Sequence, residues 1–190
     1  MTEMTIHGRG GQGVVTAAEL LSVASFLEGK HAQAFPSFGS ERMGAPVISF
    51  CRIDTREIRL REPIGEPDAL IVQDPTLIKV IDVFQGLKPD GYVLVNSNKS
   101  FDELGLRALV SKLPEGHARI VPATELALKY IGRPLPNAVL LGAFAALTGV
   151  VNLASVITAI REAFSGKIAE ANVAGATAAY ESIGATKAAA

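Results

Sequence analysis

Short continuous apolar runs along this chain alternate with stretches in which apolar residues return every three or four positions. The first pattern predicts buried strands and the second predicts helices. Met4 to His7 is a run of the first kind; it leads into Gly8-Arg9-Gly10-Gly11-Gln12-Gly13 and then into a helical period from Val14 to about Leu27. Ala32 to Pro36 predicts a second strand, and Ser37 to Pro46 a polar, glycine-bearing loop without apolar period. Val47 to Ile53 is rich in β-branched and aromatic residues. With a turn at Asp54-Thr55 and alternation across Glu57 to Arg61, it predicts a hairpin at a sheet edge.

Ala69 to Gln73 and Gly91 to Asn96 are apolar runs of the kind shown by parallel strands buried on both faces. The first ends in Asp74-Pro75, where the carboxylate predicts a cap for a helix from Thr76 to Phe84. A helix over Phe101 to Lys112, a strand at Arg119 to Val121 and a helix over Thr124 to Ile131 complete the alternating part. Asn137 to Leu147 is apolar on nearly every side, which predicts a buried helix, and two further helices are expected at Leu153 to Phe164 and Lys167 to Ser182. The fold class expected is α/β: a three-layer Rossmann-like domain with a mostly parallel sheet, an edge hairpin and a helical C-terminal third. One domain is expected over residues 1–183, with a frayed tail at 184–190.

The stretch between Arg133 and Arg161 carries no charged side chain, long enough to raise the question of a membrane span. Pro134 and Pro136 break its start, Thr148-Gly149 and Asn152 interrupt its middle, and Leu153, Val156, Ile157 and Ile160 fall at amphipathic helical spacing. Two packed helices are therefore expected, and no membrane partner. With 18 Lys plus Arg against 19 Asp plus Glu, the chain lacks the basic excess that grips phosphate backbones, so nucleic acid is not an expected partner. Its one cysteine, Cys51, rules out an internal disulfide, a structural zinc site or a cysteine-ligated cluster on this chain. The N-terminus has no basic segment followed by an apolar run, so cytoplasmic residence is expected.

Gly8, Gly10 and Gly13 have the G-x-G-x-x-G spacing between a strand and a helix, where backbone amides can receive an anion. A free-standing dinucleotide-binding oxidoreductase would also need an acid about 20 residues on, at the end of the second strand. That position falls in Gln33 to Pro36, which has none, and Glu28 belongs to the end of the first helix. No Lys follows Gly13, so the loop is not a P-loop. A tight turn that lets helix and strand pack closely remains an alternative. Gln12 suits recognition of a partner chain or polar ligand, since its amide can both donate and accept.

His7, His31 and His117 stand beside no nucleophile motif and are expected to be structural, and Cys51, in a strand pattern, to be a small buried hydrophobe. Arg52, Arg56, Arg59 and Arg61, interspersed with Asp54, Glu57 and Glu62, read as a solvated self-neutralising edge or as a contact for a phosphorylated cofactor or acidic partner. Phe38-Gly39-Ser40-Glu41-Arg42-Met43-Gly44 combines an aromatic, a charged pair and two glycines, which points to binding.

The blocks Gly8 to Ala17, Ala34 to Val47, Val72 to Leu77, Gly132 to Asn137 and Leu141 to Phe144 together resemble the gamma subunit of 2-oxoacid:acceptor oxidoreductases, the pyruvate:ferredoxin oxidoreductase family with its branched-chain and aromatic 2-oxoacid relatives. The resemblance spans nearly the whole chain. It implies a subunit of an assembly that oxidatively decarboxylates a 2-oxoacid to an acyl-coenzyme A. Thiamine diphosphate with Mg2+ would be held by alpha and beta subunits, and 4Fe-4S clusters would be carried in part by a ferredoxin-like delta subunit. Electrons would pass to ferredoxin or, through an extra subunit, to NAD. The gamma chain would pack where coenzyme A approaches and supply neither a catalytic residue nor a metal ligand. The family's glycine loop maps to Gly8, Gly10, Gly11, Gln12 and Gly13, and its partner-facing loop to Phe38, Gly39, Ser40, Glu41, Arg42 and Gly44. Met43 departs from the pattern, standing where many relatives have Arg or Gly.

Overall fold

The computed structural model describes residues 1–37 and 43–188, except the side chains of 185–188. Phe38, Gly39, Ser40, Glu41 and Arg42 lie outside the described residues.

Among the described residues six strands form one sheet: β1 (Thr2–Arg9), β2 (His31–Pro36), β3 (Pro46–Asp54), β4 (Ala69–Val72), β5 (Tyr92–Asn96) and β6 (Ala118–Val121), in the order β2-β3-β1-β4-β5-β6. β1 is the hinge of the topology. It runs antiparallel to β3, with Thr5 opposite Phe50, and parallel to β4, with Ile6 opposite Ile71. β4, β5 and β6 continue in parallel, whereas β2 closes the other edge antiparallel to β3.

The expected hairpin of residues 47–53 with 57–61 does not form. β3 already has β1 on one side and β2 on the other, so it has no free edge to offer a third strand. The antiparallel edge pair is β2 with β3. Arg59 and Glu57 pair with each other in solvent, while Arg52 is fully buried and donates to Glu3 Oε1 (2.7 Å) and the Glu62 carbonyl (2.7 Å).

α1 (Val14–Leu27), α3 (Ala123–Ile131), α4 (Asn137–Thr148), α5 (Leu153–Ala163) and α6 (Gly166–Ala188) build the main core against one sheet face, where Ile6, Cys51, Ile71 and Leu94 meet Leu21, Leu141 and Phe144. The opposite face of β4–β6 is covered by a thinner layer. There the helix expected from Thr76 to Phe84 is a short 3-10 turn, Pro75–Lys79, still capped by Asp74 as its sequence suggested. The helix expected from Phe101 to Lys112 is confined to α2 (Arg107–Val110), because Gly105 takes a left-handed φ of 73° that an α-helix cannot continue through. The charge-free stretch splits into α4 and α5 at Gly149, and no described helix is long and apolar enough to cross a membrane. α6 continues past Gly184 to Ala188, and residues 189–190 lie outside the described ones.

α4 and α6 pack closely because both are studded with glycine and alanine. A Cβ on Gly142 would stand 1.9 Å from the Ala176 carbonyl oxygen. Nothing larger than hydrogen fits there.

Candidate functional site

In open α/β sheets, ligands bind outside the carboxyl ends of the strands, at the point where successive connections turn to opposite sides. Here α1 carries the chain from β1 toward β2 at one edge, and later connections build toward β6 at the other. The crevice is therefore between the ends of β1 and β4, where the sequence places Gly8 to Gly13 and Gln73-Asp74-Pro75-Thr76.

The glycines have distinct reasons to be glycine. At Gly8 a Cβ would come within 2.5 Å of Val14 Cγ2, so its absence lets α1 lie close on the strand. Gly11 (φ 91°) and Gly13 (φ 72°) take left-handed backbone to reverse direction into the helix, and a Cβ on Gly13 would also strike Asn137 Nδ2. Gly10 makes the link to the second predicted loop. Its N–H donates to the Ala45 carbonyl (2.9 Å), and its carbonyl accepts from Gly44 N–H (3.1 Å). The described end of the second loop, Met43 to Ala45, is thereby held against the glycine loop. Met43 itself is 88% exposed.

Four residues that the sequence reading did not single out for the site tie this arrangement together: Arg9, Gln73, Asp74 and Thr76. Gln12 Nε2 donates to Asp74 Oδ2 (2.8 Å), while Gln12 Oε1 accepts from Arg9 N–H (2.9 Å) and the Gln12 carbonyl accepts from Gln73 Nε2. Asp74 Oδ1 accepts from the Thr76 N–H (2.9 Å) and hydroxyl (2.6 Å). The Arg9 guanidinium spans the gap: Nη1 donates to the Gly44 carbonyl (3.0 Å), Nη2 to Thr76 Oγ1 (2.8 Å), and Nε lies 3.3 Å from Asp74 Oδ2. Burial alone would raise the Asp74 pKa, but hydrogen bonds from Thr76 and Gln12 and the charge of Arg9 outweigh it and hold the carboxyl below its ordinary range. The signal for this clasp was present in the sequence as an Asp-Pro-Thr cap. That Arg9 and Gln12 would reach it from 62 or more residues away was not.

The clasp crosses the crevice between the ends of β1 and β4. What stays open is a hollow of about 250 Å³ beside it, bordered by Gly10, Gly11, Gly13, Val14 and Val47. Gly13 caps α1 without any side-chain hydrogen bond, so the first helical amides are available to an anion at this hollow. Of the expected site residues, Gly10, Gly11 and Gly13 border it, while Gly8, Gln12 and Gly44 belong to the adjoining turn and clasp.

Other candidates are structural in their contacts. His7 is buried beneath the loop with Nε2 at 3.2 Å from Thr5 Oγ1, and burial pushes its pKa down to about 4. His117 stacks on Tyr92 at 4.0 Å. Cys51 is fully buried, its thiol pushed up to about 12.

A family model described as pyruvate ferredoxin/flavodoxin oxidoreductase matches residues 3–182. The chain is 50% identical over 181 residues to the pyruvate/ketoisovalerate oxidoreductases common subunit gamma of Pyrococcus abyssi, covering 95% of this chain and 96% of that one. It is 47% identical over 183 residues to pyruvate synthase subunit PorC of Methanothermobacter thermautotrophicus, covering 96% of each. The crystal structure of pyruvate oxidoreductase subunit PORC from Thermotoga maritima is similar with a TM-score of 0.79 at 35% identity over 95% of both chains.

Proposed function

Because this chain belongs to the pyruvate ferredoxin/flavodoxin oxidoreductase family, we propose that it is the gamma subunit of a cytoplasmic, multisubunit 2-oxoacid:ferredoxin oxidoreductase. In this reading the assembly converts a 2-oxoacid and coenzyme A to acyl-coenzyme A and carbon dioxide, passing two electrons to ferredoxin. Thiamine diphosphate, Mg2+ and the 4Fe-4S clusters sit on alpha, beta and delta subunits. The composition supports that division, since a lone cysteine buried in β3 cannot ligate a cluster.

This chain's own part is to shape the approach of coenzyme A. The observation that carries the reading is the Gly10–Gly44–Ala45 hydrogen bonding with Arg9 clamped across it, which holds Gly44 and Ala45, close to Arg42 in sequence, against the glycine loop and its uncapped helical amides. Amides and a guanidinium are the groups that receive phosphate or thioester oxygens. A free-standing dinucleotide-binding oxidoreductase is disfavoured, because Gln12 bonds Asp74 and Gln73 across the β1/β4 crevice and β2 itself carries no acid.

The test is Arg42→Ala in the assembled enzyme, with subunit composition followed by native mass spectrometry and turnover followed against coenzyme A and 2-oxoacid separately. The expected result is an intact complex with a raised KM for coenzyme A and an unchanged KM for the 2-oxoacid. Loss of the complex would make Arg42 an assembly contact, and unchanged kinetics would remove the loop from the coenzyme A path.

A further inference from the structure

β2 ends the sheet: β3 lies along its inner side and α1 on one face, and among the described residues no strand lies along its outer side. Which of its backbone groups look outward follows from the ladder. The Ser37 N–H donates to the Ile48 carbonyl (2.8 Å), so residues 37 and 48 form a hydrogen-bonded pair of the antiparallel register, and Phe35, Gln33 and His31 bond to β3 in alternation with it. The N–H and C=O of Ala32 and Ala34 therefore point away from the sheet. Among the described residues nothing accepts from them or donates to them. Pro36 has no N–H to offer, and the Lys30 N–H is already given to the Ser25 carbonyl (3.2 Å). Between those two stops lie two donors and two acceptors, centred on Gln33.

Strand edges that stay in solvent carry a defence, such as a lysine, a bulge or a covering element. β2 has no Asp, Glu, Lys or Arg, and its one Pro stands at the last position. The side chains beside its outward groups are alanines turned onto the α1 face, so they leave the edge accessible. The charges at its start are neutralised: Lys30 pairs with Glu28 at 2.9 Å, and Asp54, opposite His31, pairs with the N-terminal amine at 3.4 Å. A two-fold contact brings each surface against its own copy, so any charge in it meets a like charge. This edge has none to oppose.

We propose that β2 pairs with β2 of a second copy of this chain, antiparallel about Gln33, joining the two sheets into one. In that register Ala32 lies opposite Ala34 of the second copy and Ala34 opposite its Ala32, so every outward N–H and C=O of Ala32 and Ala34 is bonded. A shift by two residues sets Ala34 against Lys30, whose N–H is spent, or Ala32 against Pro36, which has none, and loses hydrogen bonds. The face bearing Gln33 is also self-complementary. Gln33 meets Gln33 of the second copy, amide to amide, and the exposed His31 lies beside the half-buried Phe35, once on each side of the axis. The other face presents only Ala32 and Ala34, so nothing bulky at the seam props the α1 helices apart. The pairing does not rest on the coenzyme A role given to the glycine loop.

Sedimentation equilibrium of the full chain is expected to show a monomer–dimer equilibrium. Ala34→Pro removes one outward N–H and leaves the bonds of β2 to β3 in place, and it is expected to weaken the dimer about ten-fold or more. Gln33→Cys reads the register independently of that variant's folding. Across the axis the two Cα atoms fall within the roughly 4.4–6.8 Å that a disulfide spans, so mild oxidation should join two copies, in the full chain and in the assembled enzyme alike. Thr158→Cys, exposed on α5, should not cross-link, and Cys51 is buried away from the oxidant. A wild-type chain that stays monomeric, a dimer unmoved by Ala34→Pro, or cross-linking at position 33 no faster than at 158 overturns the proposal. If the chain is monomeric alone and its Ala32 and Ala34 amides exchange slowly only in the assembled enzyme, the edge belongs instead to a strand of a different subunit.

Discussion

Asp74→Ala is the sharpest perturbation of the clasp. The wild-type carboxylate accepts three hydrogen bonds, from Thr76 N–H, Thr76 Oγ1 and Gln12 Nε2, and lies 3.3 Å from Arg9 Nε. A hydrogen bond to a charged group contributes about 1.5–3 kcal/mol. Thr76 is exposed and Arg9 half-buried, so in the variant both recover water, and only the Gln12 amide and the unwinding 3-10 turn bear the full loss. We expect a net destabilisation of about 3 kcal/mol, which for a chain of this length lowers the melting temperature by roughly 6–12 °C. A double-mutant cycle with Gln12→Ala isolates the long-range contact and should return a coupling of about 1 kcal/mol. The effect also depends on pH. The folded-state pKa is depressed, so the contribution is complete at neutral pH and is lost as pH falls below about 4, through first the unfolded and then the folded value. The variant should therefore have a flatter acid limb than wild type. Amide hydrogen exchange at Gly10 and Gly44 should quicken in it, because Arg9 loses one of its anchors. A destabilisation under about 1 kcal/mol, or a cycle with no coupling to Gln12, would refute the view that this clasp holds the site.

Gly142→Ala tests the α4–α6 approach: helix propensity alone favours alanine by about 1 kcal/mol, whereas a Cβ 1.9 Å from a backbone oxygen must push the helices apart, so we expect a loss of about 3 kcal/mol or more by urea denaturation. A more stable variant would show that the helices can part freely. His7 has a folded pKa lowered to about 4, so between roughly pH 6.5 and 4 the unfolded chain takes up a proton that the native state refuses. Stability should fall as pH drops through that window, by up to about 3 kcal/mol, and His7→Phe should flatten this part of the profile in thermal melts. An unchanged slope in the variant would assign the pH dependence elsewhere.

The sequence by itself determined the class of fold and the turn of the glycine loop. Apolar runs at Met4 to His7, Ala69 to Gln73 and Gly91 to Asn96 are long enough and apolar enough that burial in a sheet is their only favourable state, and each is a strand. The glycines of the loop were legible because left-handed backbone and close helix–strand contact exclude a side chain locally. The resemblance of several ordered blocks supplied the family, which no local pattern contains.

Tertiary structure decided what depends on competition between distant segments. Residues 57–61 alternate well enough for a strand, yet both edges of β3 were taken, and β-propensity without a partner makes no strand. Arg52 belongs by sequence to an exposed charged run, but its place in an interior strand buries it against Glu3. Arg9 and Gln12 read as neighbours in a glycine turn, and only the parallel pairing of β1 with β4 brings them within hydrogen-bond reach of Asp74. Local propensity is a property of a few consecutive residues. Which strand edge is free, and which carboxylate a guanidinium meets, are set by the whole sheet at once.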